Sequence, residues 1–460
     1  MKANSKSQNK GQISFIEQKL NKIDIEKLSK DSNFSKRKAK KISAKHLLLG
    51  FFLMAKSREN HSYRNWAIKI RWLIQDRVSK RALWKKMQQT QIIFLKKVLS
   101  SVIKQTLSNN NDYPNLKMFK NVIVEDSTAI KLNDKLHKDY PGNGYWDDKA
   151  NKAIMKIQAA YNITSRKLLR LDVSSFRDND QGYSPKIVQI LKRGDLLIRD
   201  LGYFVLKVFK GLNENGIFFI SRMKKHVNIF SKEDEPSIDL AKMLKKRGSL
   251  DIEVFLGEKE KLPVRLIAIP VNEEVASERR RKARTNRDKR CSPTRQHLYL
   301  LGWELFITNV EKEVLSAKNI SELYFIRWRI ETIFKSWKSY FKITEIPKDA
   351  NKIRTESYIY CMLIFIVLFQ VHFYNYYLSK LKSKTILSEE ISLLRLMQFM
   401  ISNIENIFYS DLTDSWRNEK YLFDQINYYC QYESRKDREN FSQQLRKLGR
   451  RLCDQIGAFF

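Results

Sequence analysis

Four side chains, Tyr324, Arg327, Glu331 and Lys338, follow one another at intervals of 3, 4 and 7 residues. On a helix, at about 100° per residue, they fall within roughly a 60° arc, so one face carries a phenol, two cations and a carboxylate. Such a face suits a phosphodiester: the cations hold phosphates, the ring stacks or hydrogen-bonds, and the carboxylate can hold a metal ion. A solvated face laced with Glu and Lys pairs uses the same residue types and is the commoner meaning of mixed charge on a helix. Moving water or a 3′-hydroxyl through a phosphodiester takes two divalent ions about 3.5 to 4 Å apart, held by a few carboxylates. Asp126 in VEDST and Asp200 in RDLGY each follow a short β-rich run, and with Glu331 they read Asp, Asp, Glu in chain order. Oxygen-only ligands suit Mg²⁺, with Mn²⁺ as a substitute.

Those side chains need rigid supports. Leu323 to Tyr340, LYFIRWRIETIFKSWKSY, reads as one amphipathic helix, because Leu323, Ile326, Ile330, Phe334 and Trp337 recur at steps of three and four and form an apolar stripe. Asp126 closes the run FKNVIVE, residues 119–125, and Asp200 closes LLIR, residues 196–199. If the two strands are neighbours in one sheet, the Asp residues meet and the helix closes over them. A lone Asp after a strand is more often a turn or cap residue. Glu125, Asp147, Asp148, Asp172, Asp178, Asp180 and Asp195 are rival acids. Glu125 points away from Asp126 if the strand continues, and the others lie in loops or outside the two motifs.

The pattern Y-x-x-R-x-x-x-E-x-x-x-x-x-x-K resembles the signature of bacterial insertion-sequence transposases of the insertion sequence four family, as does the surrounding RWRIETIFKSWK. Asp126-Ser-Thr and Asp200-Leu-Gly-Tyr resemble that family's first and second acidic motifs, and the resemblance spans about residues 119–345. It implies that Asp126, Asp200 and Glu331 are the catalytic, metal-holding acids. It also implies a Trp that receives a flipped base; Trp303, 28 residues before Glu331, stands near that place, although a core Trp is the default elsewhere. Tyr324, Arg327 and Lys338 would hold the phosphate beside that base, with Trp328 sharing the work and Arg222 a weaker DNA contact. The implied route is nicking by water, attack of the freed 3′-hydroxyl on the opposite strand to give a hairpin, reopening, and joining to target DNA.

Composition points the same way. The chain has 460 residues and a formal net charge of +37, which calls for a polyanionic partner, nucleic acid ahead of an anionic membrane. Cys291, Cys361, Cys430 and Cys453 lie far apart, supporting neither a zinc site nor a disulfide framework, and a reducing cytoplasm is the simplest setting; the resemblance implies a bacterial one, at the nucleoid. The first residues contain no apolar signal segment. Tyr358 to Phe369, YIYCMLIFIVLF, is the one long apolar run; it is short of a membrane span and reads as a buried helix behind the catalytic layer.

Along the chain, residues 1–115 read as a helical, basic, DNA-binding domain with helices at Ala44–Ala55 and Tyr63–Ile74. Within it, Ser79–Gln89 is a candidate reading helix on which Leu83, Trp84 and Met87 pack. Residues 116–222 give three strands, a helix at Ser184–Lys192, a strand, a helix and a strand; this is the order of an RNase H-like mixed α/β sheet, a fold that the resemblance implies and periodicity alone does not name. Residues 223–312 form a β-rich insertion with strands at Ile252–Leu256, Val264–Ile269 and His297–Leu301. It carries the run RRRKARTNRDKR, including Arg279, Arg280, Arg281 and Lys282, which reads as a solvated loop or an arm along a phosphate backbone, the arm being favoured by the total charge. Residues 313–380 hold the acidic and buried helices. Residues 381–460 form a helical region in which Tyr432–Arg451 could support a homodimer on double-stranded DNA. The competing functions are a stand-alone metal-dependent nuclease, separable by whether DNA is joined or only cut, and a domesticated, non-catalytic DNA-binding protein.

Overall fold

Runs of Val, Ile, Leu and Phe bounded by turn residues become strands, and the three-four apolar repeats become helices. In chain order these are α1 (Ile25–Asp31), α2 (Ala44–Lys56), α3 (Tyr63–Ile74), α4 (Lys80–Lys86), α5 (Gln89–Lys104), β1 (Val122–Lys131), β2 (Ile154–Asn162), β3 (Lys167–Ser175), α6 (Asp180–Tyr183), β4 (Leu196–Arg199), α7 (Leu206–Glu214) and β5 (Phe218–Arg222). Then follow β6 (Ile229–Phe230), α8 (Leu240–Arg247), β7 (Leu250–Leu256), β8 (Leu262–Pro270), α9 (Glu273–Arg284), α10 (Arg295–Leu300), β9 (Trp303–Thr308), α11 (Ala317–Phe325), α12 (Trp328–Ser339), α13 (Lys352–Ile366), α14 (Leu393–Ser402) and α15 (Glu419–Tyr429). The structure is a computed structural model that describes residues 20–37, 41–56, 61–105, 116, 118–142, 152–285, 292–347, 350–374, 391–404 and 419–431. Asp147, Asp148, the second half of the basic run, Cys291, Cys453 and the expected dimer region Tyr432–Arg451 lie outside the described residues.

The chain divides into two compact units, one of residues 1–108, 130–155 and 332–438, the other of residues 109–129, 156–331 and 439–460. The first is helical. Gly50 lets α2 meet α3, since a Cβ there would lie 2.3 Å from Ile70 Cγ1. The Trp66 indole, wholly buried, donates to the Leu47 carbonyl at 3.2 Å. The apolar run lies in α13 and packs on α2 and α5, with Phe365 stacked on Phe52. With its continuation the helix spans Lys352–Gln370, 19 residues, so by length and composition it could cross a membrane, contrary to the expectation that it is too short. Its window is 89% buried inside the protein, and a core position accounts for its composition. The small helix α4 begins after Ser79, whose side chain makes no capping bond. Leu83 is buried, but Trp84, expected to pack, is 60% exposed.

The second unit is built on a mixed nine-stranded sheet of order β3-β2-β1-β4-β5-β9-β8-β7-β6. β1 and β4 are parallel, as are β4 and β5, while β9 joins β5 antiparallel. The insertion strands therefore extend the same sheet. Leu197, Phe209, Phe219, Leu256, Leu266 and Ile307 share its core. Every residue of β4 is buried, as expected of a central parallel strand covered on both faces.

Four further expectations, all about helices, change. The helix expected at Ser184–Lys192 is instead a tighter 3₁₀ turn at Ser184–Gln189, which follows the short helix α6 directly, because Pro185 cannot continue the α-helical hydrogen bonding. His297–Leu301 belongs to helix α10, which Thr294 caps by accepting from His297 N. The first half of the basic run is helical and packed at its start: it forms the end of α9, where Arg279 pairs with Glu304 and Arg280 with Glu273. Leu323–Tyr340 is two helices, broken at Ile326 and Arg327, where the backbone closes tight bonds from Ile326 N to Leu323 O and from Arg327 N to Tyr324 O. The apolar stripe survives the break, for Leu323, Ile326, Ile330, Phe334 and Trp337 are all buried.

Candidate active site

Parallel pairing of β1 with β4 sets Glu125 beside Arg199, one residue before Asp126 and Asp200. Neighbouring strands are about 4.8 Å apart, so the register leaves the two Asp residues facing each other. β1 does not end at Asp126 as the sequence suggested, but continues to Lys131. Side chains alternate along it: Asp126 takes one face and Glu125 the other. Glu125 is fully buried, with Arg199 Nε at 2.8 Å on one carboxylate oxygen and Arg170 at 3.0 Å on the other.

The break between α11 and α12 places Arg327 among the acids. Its Nη1 donates to Asp126 Oδ2 at 2.7 Å and its Nη2 to Glu331 Oε1 at 2.9 Å, while the Tyr324 hydroxyl donates to Asp200 Oδ1 at 3.3 Å. The sequence-selected Asp126, Asp200, Glu331, Tyr324 and Arg327 are thus brought together. Burial pushes the Asp126 carboxyl up to about 6; Arg327 and the Ser127 N–H oppose the rise, and Asp200 and Glu331 add to it by repulsion. Burial likewise pushes the Tyr324 phenol up to about 12, so at neutral pH it is a hydrogen-bond donor. Glu331 is half exposed and Lys338 exposed, in the last turn of α12.

Arg222, at the end of β5, donates to Glu304, and its guanidinium lies 5.4 Å from the Tyr324 ring centre; that of Arg327 lies at 5.7 Å. The Nε–H groups of both arginines are buried and make no hydrogen bond among the described residues. Trp328 is 52% exposed. Trp303 is half-buried at the start of β9, against the sheet core and 6.2 Å from Tyr299. Arg281 and Lys282 both pair with Glu278 on the exposed side of α9. Of the rival acids, Asp195 is a turn residue that accepts from Asn121 Nδ2 and Lys192 N, and Asp178 accepts from Ser175 N. Three features were not legible as such in the sequence: the role of Glu304, the contacts of Asp180, set aside above as a rival acid, and the pairing of Glu125 with Arg199. Only the last carried a signal, since a Glu and an Arg each precede a motif Asp.

Among the described residues no three His, Cys, Asp or Glu side chains converge closely enough to form a metal cage. The donor set nevertheless suits a hard divalent cation, because Asp126 and Glu331 already turn carboxylate oxygens on one cationic group, the Arg327 guanidinium.

Comparison with known proteins defines the class. Residues 117–366 match the family described as the transposase DDE domain, and the chain belongs to that family. It is a metal-dependent DNA transposase. Among curated relatives, the transposase of insertion sequence element IS1151 from Clostridium perfringens is 29% identical over 350 residues, covering 71% of this chain and 72% of the relative. The transposase of IS231E from Bacillus thuringiensis subsp. finitimus is 27% identical over 375 residues, 77% of each. Among solved structures, a piggyBac transposase synaptic complex with hairpin DNA aligns with a TM-score of 0.42 and 11% identity over 90% of this chain and 83% of that one.

Proposed function

We propose that Asp126, Asp200 and Glu331 are the catalytic carboxylates of an RNase H-like transposase that cleaves DNA at terminal inverted repeats and joins the freed ends to target DNA. The observation that carries this reading is the parallel β1–β4 register, which leaves Asp126 beside Asp200, together with the Arg327 bridge from Asp126 to Glu331. These carboxylates would hold two Mg²⁺ ions, or Mn²⁺ in their place; when bound, the ions supply activation of the attacking oxygen and stabilisation of charge on the phosphate. Arg327 then exchanges its carboxylate partners for a phosphate, and its unbonded Nε–H and that of Arg222 supply donors for the DNA backbone. Tyr324 orients Asp200, Lys338 adds a phosphate contact, and Trp303 and Trp328 offer rings to an unpaired base on the hairpin route. The N-terminal helices bind DNA, and two copies act together in the DNA complex. Incubation with a terminal-repeat duplex and a target plasmid tests the proposal: metal-dependent joined products support it, whereas cut but unjoined DNA makes the enzyme a nuclease.

Raised to about 6, the Asp126 carboxyl puts a proton in competition with the cation. The sign follows directly: metal binding requires the ionised form, so affinity is full above pH about 6 and falls as pH drops through it. Calorimetric titration with Mn²⁺ should show affinity lower by on the order of 10-fold at pH about 5 than at about 7. A flat profile would show that no Asp126 titration near 6 competes with the cation.

The α9 cations have a smaller expected role than their number suggests. If Arg279, Arg280, Arg281 and Lys282 each met a phosphate, neutralising all four would lower the slope of log affinity against log salt by about 3.6. Their pairing with Glu304, Glu273 and Glu278 leaves an expected change of about 1 to 2. An unchanged slope in a salt titration would make the helix end a solvated face.

A further inference from the structure

We propose that Asp180, held by Lys156, is a positioning residue that fixes the spacing of Asp126 and Asp200 from the opposite face of the sheet. The proposal rests on the reading of those two acids as catalytic. On β1, Ser127 shares the face of Glu125 and points away from the face that Asp126 occupies. There the Ser127 hydroxyl donates to Asp180 Oδ1 at 3.3 Å, and from β2 the same oxygen receives Lys156 Nζ at 3.0 Å and Gln158 Nε2 at 2.9 Å. The other oxygen, Oδ2, abuts the turn after β4: a Cβ added to Gly202 would lie 3.2 Å from it. The Tyr203 hydroxyl, in turn, donates to Gln158 Oε1. One carboxylate is therefore keyed to the residue after Asp126 and to the two residues that close the Asp200 motif.

The segment that carries Asp180 is itself fixed. Asn179 caps α6 by accepting from Gly182 N at 2.7 Å, and Ser184 Oγ donates to the Tyr203 carbonyl at 3.0 Å while accepting from Arg199 Nη1 at 2.7 Å. Lys156, its side chain 8% exposed, matches the Asp180 charge and also donates to the Asp178 carbonyl at 3.2 Å. With Oδ1 taken by three donors on the far face, Asp180 serves as a strut and not as a fourth metal ligand. The arrangement also gives physical reasons for three motif residues: Ser127 supplies the bond, Gly202 the room and Tyr203 the tie to Gln158. Losing a carboxylate that orients ligating groups typically costs 10- to 100-fold in metal affinity or activity.

The test is Mn²⁺ binding to the full chain without DNA, followed by electron paramagnetic resonance, with a melting curve for each variant. Asp180→Ala should raise the half-saturating Mn²⁺ concentration by about 10-fold or more, and Asp180→Asn, which keeps an acceptor for Ser127 and Gln158, should recover most of that loss. Asp200→Asn is the reference: if it leaves Mn²⁺ binding intact, the reading of the acids fails. If Asp200→Asn weakens Mn²⁺ and Asp180→Ala does not, the acids stand and the positioning role is overturned. Equal weakening in Asp180→Ala and Asp180→Asn, matched by equal losses of melting temperature, also overturns it. Should Asp180→Ala fail to fold, Gly202→Ala presses on Oδ2 and Ser127→Ala removes the β1 tie. Weakened Mn²⁺ binding in both with the wild-type melting curve supports the role, and wild-type binding in both overturns it.

Discussion

Asp126→Asn, Asp200→Asn and Glu331→Gln are each expected to abolish cleavage and joining while leaving DNA bound. Each keeps the size of its side chain and removes a charge that would hold a divalent ion, so the cost is several kcal/mol of transition-state stabilisation, on the order of 10³-fold or more in rate. DNA affinity comes from cations elsewhere, and losing a carboxylate near phosphates can tighten it slightly through lost repulsion. Asp172→Asn is the control. Its carboxylate accepts from the Tyr183 hydroxyl and lies 3.5 Å from Arg170, apart from the three acids, so the variant should stay active. A terminal-repeat cleavage assay at near wild-type rate for any of the three main variants would strike that acid from the site. The structure leaves poor replacements, since Glu125 is locked to Arg199 and Asp195 to a turn.

The three candidate acids could be picked out of the sequence because their neighbours carry information. Asp126 and Asp200 each come after a short, largely apolar run and open a short motif, and the Tyr324–Lys338 spacing put one polar stripe beside one apolar stripe. What periodicity could not give was the break at Ile326 and Arg327: both stripes continue through it, and the contact made there, Arg327 with Asp126, comes from 201 residues away. The α9 helix was hidden for a related reason. Its cations read as an unpacked run until Glu273 and Glu278, within the helix, and Glu304, on β9, are placed beside them. Asp180 looked like a loop acid because its partners lie on β1, β2 and the turn after β4. Strand order also decided the insertion's place: nothing in residues 223–312 says that their strands extend the sheet, until β9 pairs with β5.

The largest effect on stability is expected at Arg199. Its guanidinium is fully buried within the sheet, where it donates to Glu125 through Nε and Nη2 and to the Ser184 side chain and carbonyl through Nη1 and Nη2. Arg199→Met removes the cation and leaves Glu125, also fully buried, with Arg170 as its remaining charged partner among the described residues. Burial already pushes the Glu125 carboxyl above the usual range despite both arginines, so removing the nearer one strands a costly charge. Breaking a buried pair from one side costs about 3 to 5 kcal/mol, a large share of a typical domain's stability. Converting both partners, Glu125→Leu with Arg199→Met, should cost less than Arg199→Met alone, because no uncompensated charge remains. Urea unfolding of the two single variants and the double variant forms a cycle that measures the coupling directly. If the double variant is less stable than Arg199→Met by the full Glu125→Leu loss, the pair contributes packing alone. A smaller loss measures the coupling of the pair across β1 and β4, and cleavage activity should fall in the order of stability across the three variants.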